Sequence, residues 1–133
     1  MSNELLIKRT AFANITIPNT ATTVSTGVYI PAGAIITGIR WNSQDAVTIS
    51  GASATVTLDA GTVALHTAVA VSAMGAVTTP TTTALSVAGG IALTTNSELK
   101  LVAQASSNSA ATASYDFYVD YLYVGGHETA YYQ

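Results

Sequence analysis

The side chains able to do acid–base, nucleophilic or metal chemistry are few and scattered along these 133 residues. Histidine occurs at His66 and His127 only. Neither has a carboxylate at a metal-ligand spacing except the adjacent Glu128, and neighbouring side chains on an extended chain point apart. A protein zinc site takes at least three ligands, so both histidines read as packed or surface residues. Asp116 and Asp120 stand four apart in a strand-like run. At about 3.3 Å per residue they would share a face roughly 13 Å apart, whereas glycosidase carboxylate pairs stand about 5 to 9.5 Å apart. They read instead as solvent-facing carboxylates. The other aspartates, Asp45 and Asp59, are too few to complete the oxygen cage of a calcium site. Cysteine is absent, which removes disulfides, thiolate metal sites and cysteine nucleophiles. No phosphate-binding glycine loop, dinucleotide fingerprint or nucleophile elbow occurs. The expectation is a protein without enzymatic activity, with no catalytic residue, no cofactor and no metal.

Binding chemistry is better represented. Tyr115, Phe117, Val119, Tyr121 and Tyr123 alternate along one face of the last hydrophobic run, and Tyr118 stands opposite. Such a stripe serves most often as core or interface. An alternative is a sugar-stacking platform, for which Trp41 and Tyr118 are the candidates. Near the two ends, Leu5, Leu6 and Ile7, and then Tyr131 and Tyr132, have no local core to join, and they suggest docking on a neighbouring molecule.

Composition narrows the class further. Charged residues are 8% of the chain, against about 25% in a typical soluble protein. Ala, Thr, Ser, Val and Gly make up 78 of the 133 residues. With so few charges, hydroxyl and small residues must form much of the exterior, a surface poorly protected against association. Assembly with partners is the natural use of such a surface. The four basic residues, Lys8, Arg9, Arg40 and Lys100, are too few for a nucleic-acid binder. A content of 49% hydrophobic residues with a net charge of −3 argues against disorder. The uncharged window from Ala60 to Val77 contains His66 and three hydroxyl residues and lacks flanking Lys or Arg, so no membrane span is expected. No export signal is expected either.

The elements that must position these residues follow a two-residue period. Strands are expected at Phe12–Ile17, Thr22–Ile30, Ala34–Trp41, Asp45–Ser50, Ser53–Asp59, Thr62–Val71, Ala84–Ala88, Ile91–Thr95, Glu98–Ala105 and Ser114–Val124. Turns fall at Pro31-Ala32-Gly33, Gly51, Gly61 and Gly89-Gly90, and the segments Met74–Thr83 and Ser106–Ala111 read as loops. In the third run, Ile35, Ile39 and Trp41 share one face while Ile36 and Arg40 share the other. About eight to ten short strands without helix imply an all-β, single-domain antiparallel β-sandwich, jelly-roll-like, with extended terminal arms. The expected division is an arm over residues 1–11, a sandwich over 12–124 and a tail over 125–133. The long last strand is expected at the centre of its sheet.

The segment GVYIPAGAIITGI (Gly27–Ile39) resembles an apolar-Pro-Ala-Gly-apolar turn common in small virion proteins of tailed bacteriophages. The run YDFYVDYL (Tyr115–Leu122) is similar to the aromatic, alternating last strand of the same proteins. Within that group the chain is most similar to capsid decoration, or cement, proteins. The resemblance implies a structural protein that binds capsomers of the major capsid protein and neighbouring copies of itself as a homotrimer. It implies manufacture in the host cytoplasm and a final place on the outer capsid surface. It assigns the N-terminal arm, including Leu5, Leu6, Ile7, Lys8 and Arg9, to capsid or subunit contact. Two further readings remain open: a host-attachment or carbohydrate-binding module of a head fibre or tail tip, and another virion subunit such as a tail-tube protein.

Overall fold

A computed structural model describes residues 5–16, 22–43, 55–70, 81–104 and 114–125. The expectations placed on Asp45–Ser50, Met74–Pro80, Ser106–Ala111, His127, Tyr131 and Tyr132 lie outside these residues. Ten strands occur in chain order: β1 (Leu5–Thr16), β2 (Thr22–Ile30), β3 (Ile35–Asn42), β4 (Thr55–Ala60), β5 (Val63–Ala64), β6 (Val69–Ala70), β7 (Thr81–Thr83), β8 (Ile91–Ala92), β9 (Ser97–Gln104) and β10 (Ser114–Gly125). All pairings among them are antiparallel. One sheet, here sheet A, runs β1-β10-β3-β7, with β8 continuing the edge along β3. The other, sheet B, runs β2-β9-β4-β5, with β6 continuing the edge along β4.

β5 and β6 act as two halves of one interrupted strand, as do β7 and β8. Counted this way, eight strands run first–eighth–third–sixth in one sheet and second–seventh–fourth–fifth in the other. That order is a jelly roll. It is one long hairpin wound on itself: fourth pairs with fifth, third with sixth, second with seventh and first with eighth. The tip of the hairpin is the turn at Gly61, whose φ of 63° lies in the left-handed region that glycine enters without a Cβ clash. The expected β-sandwich is therefore the observed architecture, and β10 lies between β1 and β3 as expected for the central strand.

Alternation supplies the core. Sheet A turns Ala11, Ala13, Ile15, Ile36, Ile39, Trp41, Tyr115, Phe117 and Val119 inward; sheet B contributes Ile30, Val56, Leu58, Ala60, Leu99, Leu101 and Ala103. Large and small side chains are matched across strands. Ala13 lies opposite Phe117, which lies opposite Trp41. Each fully buried Leu or Ile contributes about 1.5–3 kcal/mol of transfer free energy.

Four expectations need correction. Leu5–Ala11 do not stand apart as an arm: they belong to β1 and pair in register with β10 from Leu5↔Gly125 to Ala11↔Val119. The twelve residues of β10 offer a full-length backbone ladder, and pairing satisfies groups that an arm would leave to water. Second, Ile36 rather than Ile35 joins Ile39 and Trp41 in the core; Ile35 is exposed. The register slips where Asp120 faces Gly38 but Tyr121 faces Ile36. Thr37 is thus the extra residue of a β-bulge, and it inverts the alternation between Ile36 and Ile39. Third, the expected strand Thr62–Val71 is not continuous over its described residues. It bends at Leu65–Ala68 because Leu65 N–H donates to Leu58 O (3.0 Å) and the His66 ring accepts the Leu58 N–H at Nε2 (2.9 Å). Fourth, Ala84–Ala88 does not form the expected strand; the strand lies just before it, at Thr81–Thr83, within the segment read as a loop. There the β-branched threonines pair with Ile39–Trp41, and Thr83 Oγ1 accepts the Trp41 indole N–H at 2.7 Å.

Candidate interaction surface

The outward face of sheet A collects the most specific side-chain geometry among the described residues. Because β1 and β10 are in register, the outward residues meet as direct cross-strand pairs. Thr16 and Ser114 hydroxyls lie 2.9 Å apart. Asn14 Nδ2 donates to Asp116 Oδ1 at 2.8 Å. The Phe12 and Tyr118 rings pack tilted with centroids 5.3 Å apart. Thr10 Oγ1 donates to Asp120 Oδ1 at 2.7 Å. From β3, Arg40 reaches Asp120 with both Nε (3.2 Å to Oδ2) and Nη2 (3.0 Å to Oδ1), while its guanidinium lies 5.1 Å from the Tyr118 ring centroid.

This network accounts for the acidity of Asp120. Partial burial pushes its carboxyl up, but the Thr10 hydroxyl, the Arg40 guanidinium and the more distant Lys8 ammonium outweigh it and hold it below the usual carboxylate range. Asp116 also departs from its expected solvent-facing place. It is 5% exposed and hydrogen-bonded to Asn14. The two aspartates do share the outward face, but they fasten the strands rather than face water freely.

At one end the β1–β10 pair outruns β3. Ile35, where β3 begins, lies opposite Leu122, while Leu5–Ile7 and Tyr123–Gly125 continue as a two-stranded ribbon. Among the described residues no third strand pairs with it. Leu6 is 58% exposed, and Ile7 and Tyr123 are half-buried. A two-stranded ribbon is marginal alone in water, and apolar exposure of this kind marks contact surfaces. Lys8 and Arg9 follow on β1, both exposed and, by alternation, on opposite faces. The structure thus brings the N-terminal candidates Leu5, Leu6, Ile7, Lys8 and Arg9 together on one strand beside Leu122 and Tyr123.

The two aromatic candidates for a sugar platform are not brought together. Trp41 faces the core at 8% exposure, edge-on to Tyr115 with centroids 5.6 Å apart. Tyr118 faces outward on the opposite side of the same sheet, packed between Phe12 and Arg40. Sequence reasoning missed Thr10, Phe12 and Arg40 as members of this face. Arg40 had a signal, being the only basic residue between Arg9 and Lys100, but its partner lies 80 residues away.

His66 is held by its ring. Nε2 accepts from Leu58 N–H, so Nδ1 carries the proton and donates to Thr67 O at 2.6 Å. Among the described residues no group of three or more His, Asp or Glu is placed to hold a metal ion, and no helix is long and apolar enough to cross a membrane.

The fold and this face define a jelly-roll β-sandwich with a hydrogen-bonded outer face on one sheet and a two-stranded ribbon at one end. The same fold occurs in a chain of the cyanophage Pam1 capsid asymmetric unit, with a TM-score of 0.61 and 21% identity, covering 87% of this chain and 84% of that one. It occurs again in a chain of the acid-stable capsid of the Helicobacter pylori bacteriophage KHP30, with a TM-score of 0.54 and 15% identity, covering 92% and 93%. At these identities the likeness is one of fold. No family model matches the sequence, and no curated protein does.

Proposed function

We propose that this chain is a non-enzymatic structural protein of a phage virion that decorates the capsid, cementing capsomers of the major capsid protein as a homotrimer on the outer surface. The observation that carries the reading is the likeness of fold, over most of each chain, to chains from two phage capsids, each about one domain long, as their coverage requires. The surface agrees with it. Few charges, an exposed Leu6 and an Arg–Tyr–Phe cluster on a rigid sheet are features of protein contact faces, where Tyr and Arg are enriched. Burying Leu6 and Ile7 across a boundary would contribute roughly 1.5–3 kcal/mol each before ordering costs. Repeated over many copies, small contributions of this size resist internal pressure on a shell.

The test has two stages. Light scattering after size exclusion should give a mass of about 41 kDa, three times 13.6 kDa, at low salt and unchanged at high salt, since the contact is apolar. The protein should then co-sediment with heads of the phage that encodes it when those heads lack it, and Leu6→Asp should abolish co-sedimentation while leaving the chain folded. Heads that bind none of the wild-type protein would refute the decorating role.

A further inference from the structure

Trp41 and Tyr118 do not share a face, but sheet B carries an exposed aromatic of its own, Tyr29. β2 and β9 are in register at Ser25↔Lys100, yet the next pair is Tyr29↔Glu98. Three residues, Thr26, Gly27 and Val28, stand against Leu99 alone. Two extra residues in an edge strand carry Tyr29 to a position opposite Glu98, where regular pairing would have set Gly27. Bulges of this kind re-aim side chains beside binding sites.

The bulge is built, not incidental. Gly27 takes φ 75°. Its N–H donates to Glu98 Oε2 at 2.9 Å, which fixes the carboxylate. Thr26 Oγ1 donates to Leu99 O at 2.7 Å and accepts from Val28 N–H at 3.1 Å. Tyr29 is 62% exposed, more than any other large apolar or aromatic side chain among the described residues. Tyr29 borders a cleft of about 390 Å³, with Glu98, Lys100, Asn96 and Thr95 along the walls and the Gly61 turn closing one side. Small-molecule sites occupy roughly 300–1,000 Å³. Asn96 is also pre-set: its Oδ1 accepts the Ala32 N–H at 2.8 Å, leaving the amide NH₂ free to donate.

We propose that this cleft is a saccharide-binding site, with Tyr29 as the stacking platform and Glu98, Lys100 and Asn96 as hydroxyl partners. The chemistry is specific to that ligand class. A pyranose presents an apolar C–H face to an aromatic ring and a rim of hydroxyls that both donate and accept. Glu98 accepts, Lys100 and the Asn96 amide donate, and Thr95 does either. An apolar ligand would leave these groups unpaired, at a cost. The site stands independently of the virion reading, because it uses neither the sheet A face nor the ribbon.

The test is a panel of immobilised neutral and acidic oligosaccharides, followed by titration of the best binder in solution. Wild-type protein is expected to bind at least one saccharide. Tyr29→Ala and Glu98→Gln should each weaken it about tenfold or more, equivalent to about 1.4 kcal/mol. Tyr29→Phe keeps the stacking face and should retain binding, and Tyr118→Ala, on the other sheet, should leave it unchanged. The exposed position of Tyr29 keeps its variants folded, which an unchanged melting temperature verifies. Absence of binding to every saccharide, or binding that survives Tyr29→Ala, would overturn the proposal.

Discussion

The β1–β10 pair of sheet A and the strands of sheet B satisfy their polar groups in different ways. In sheet A, β1 and β10 pair without interruption over twelve residues. The backbone ladder is complete there, and outward side chains are free to bond one another across strands. In sheet B the ladder itself is interrupted, and side chains repair it. His66 takes the Leu58 N–H, while Thr26 and Glu98 serve the bulge. The difference teaches where each sheet is vulnerable. A substitution on the face of sheet A removes a contact between side chains. A substitution at the repair points of sheet B strips a partner from the backbone, and an unpaired buried donor costs more than a lost exposed bond.

The sharpest way to break this contrast is His66→Ala. It leaves Leu58 N–H without its acceptor beside a fully buried Leu58 and opens a void. Denaturant unfolding should show a loss of about 2–4 kcal/mol. A loss below that of Arg40→Met would refute the distinction between the sheets. Arg40→Met removes a bidentate but partly exposed pair, with side chains 37% and 32% exposed, so the expected loss is only about 0.5–1 kcal/mol.

The smallest effects sharpen the comparison by their sign. Each sheet carries a carboxylate with a displaced pKa, and the displacements oppose one another. Asp120 in sheet A is held low. Its contribution is present above the unfolded-state value of about 3.9 and is lost as the pH falls through the lower folded value. Burial pushes Asp59 in sheet B up, partly offset by His66, and its Oδ1 is buried without a hydrogen bond. Asp59 therefore opposes folding at neutral pH, and this penalty is relieved as the pH falls through its raised value. Asp120→Asn should flatten the acid limb of a stability–pH profile, whereas Asp59→Asn should raise stability slightly at pH 7. The same sign of change at pH 7 in both variants would contradict the assignment.

Much of the architecture was legible in the residues. A two-residue period running through Phe12–Thr16, Thr55–Asp59 and Ser114–Val124 sets which side chains can share a face, because successive Cβ atoms on a strand point opposite ways. The uncharged, cysteine-free composition constrained the surface and removed whole classes of chemistry. What the chain could not reveal locally are the departures from that period. The bulge at Thr37, which moves Ile36 into the core, and the wider one at Gly27, which sets Tyr29 opposite Glu98, exist only relative to a partner strand. Register is a property of two segments, and the partners here lie 71 to 110 residues apart. The bonds of Arg40 and Thr10 to Asp120, and the burial of Trp41 against Tyr115, depend on the same pairing. Sequence determined most of the strands and, between the bulges, their inward faces through backbone stereochemistry; only the tertiary structure decided which strands met, and therefore which side chains could act together.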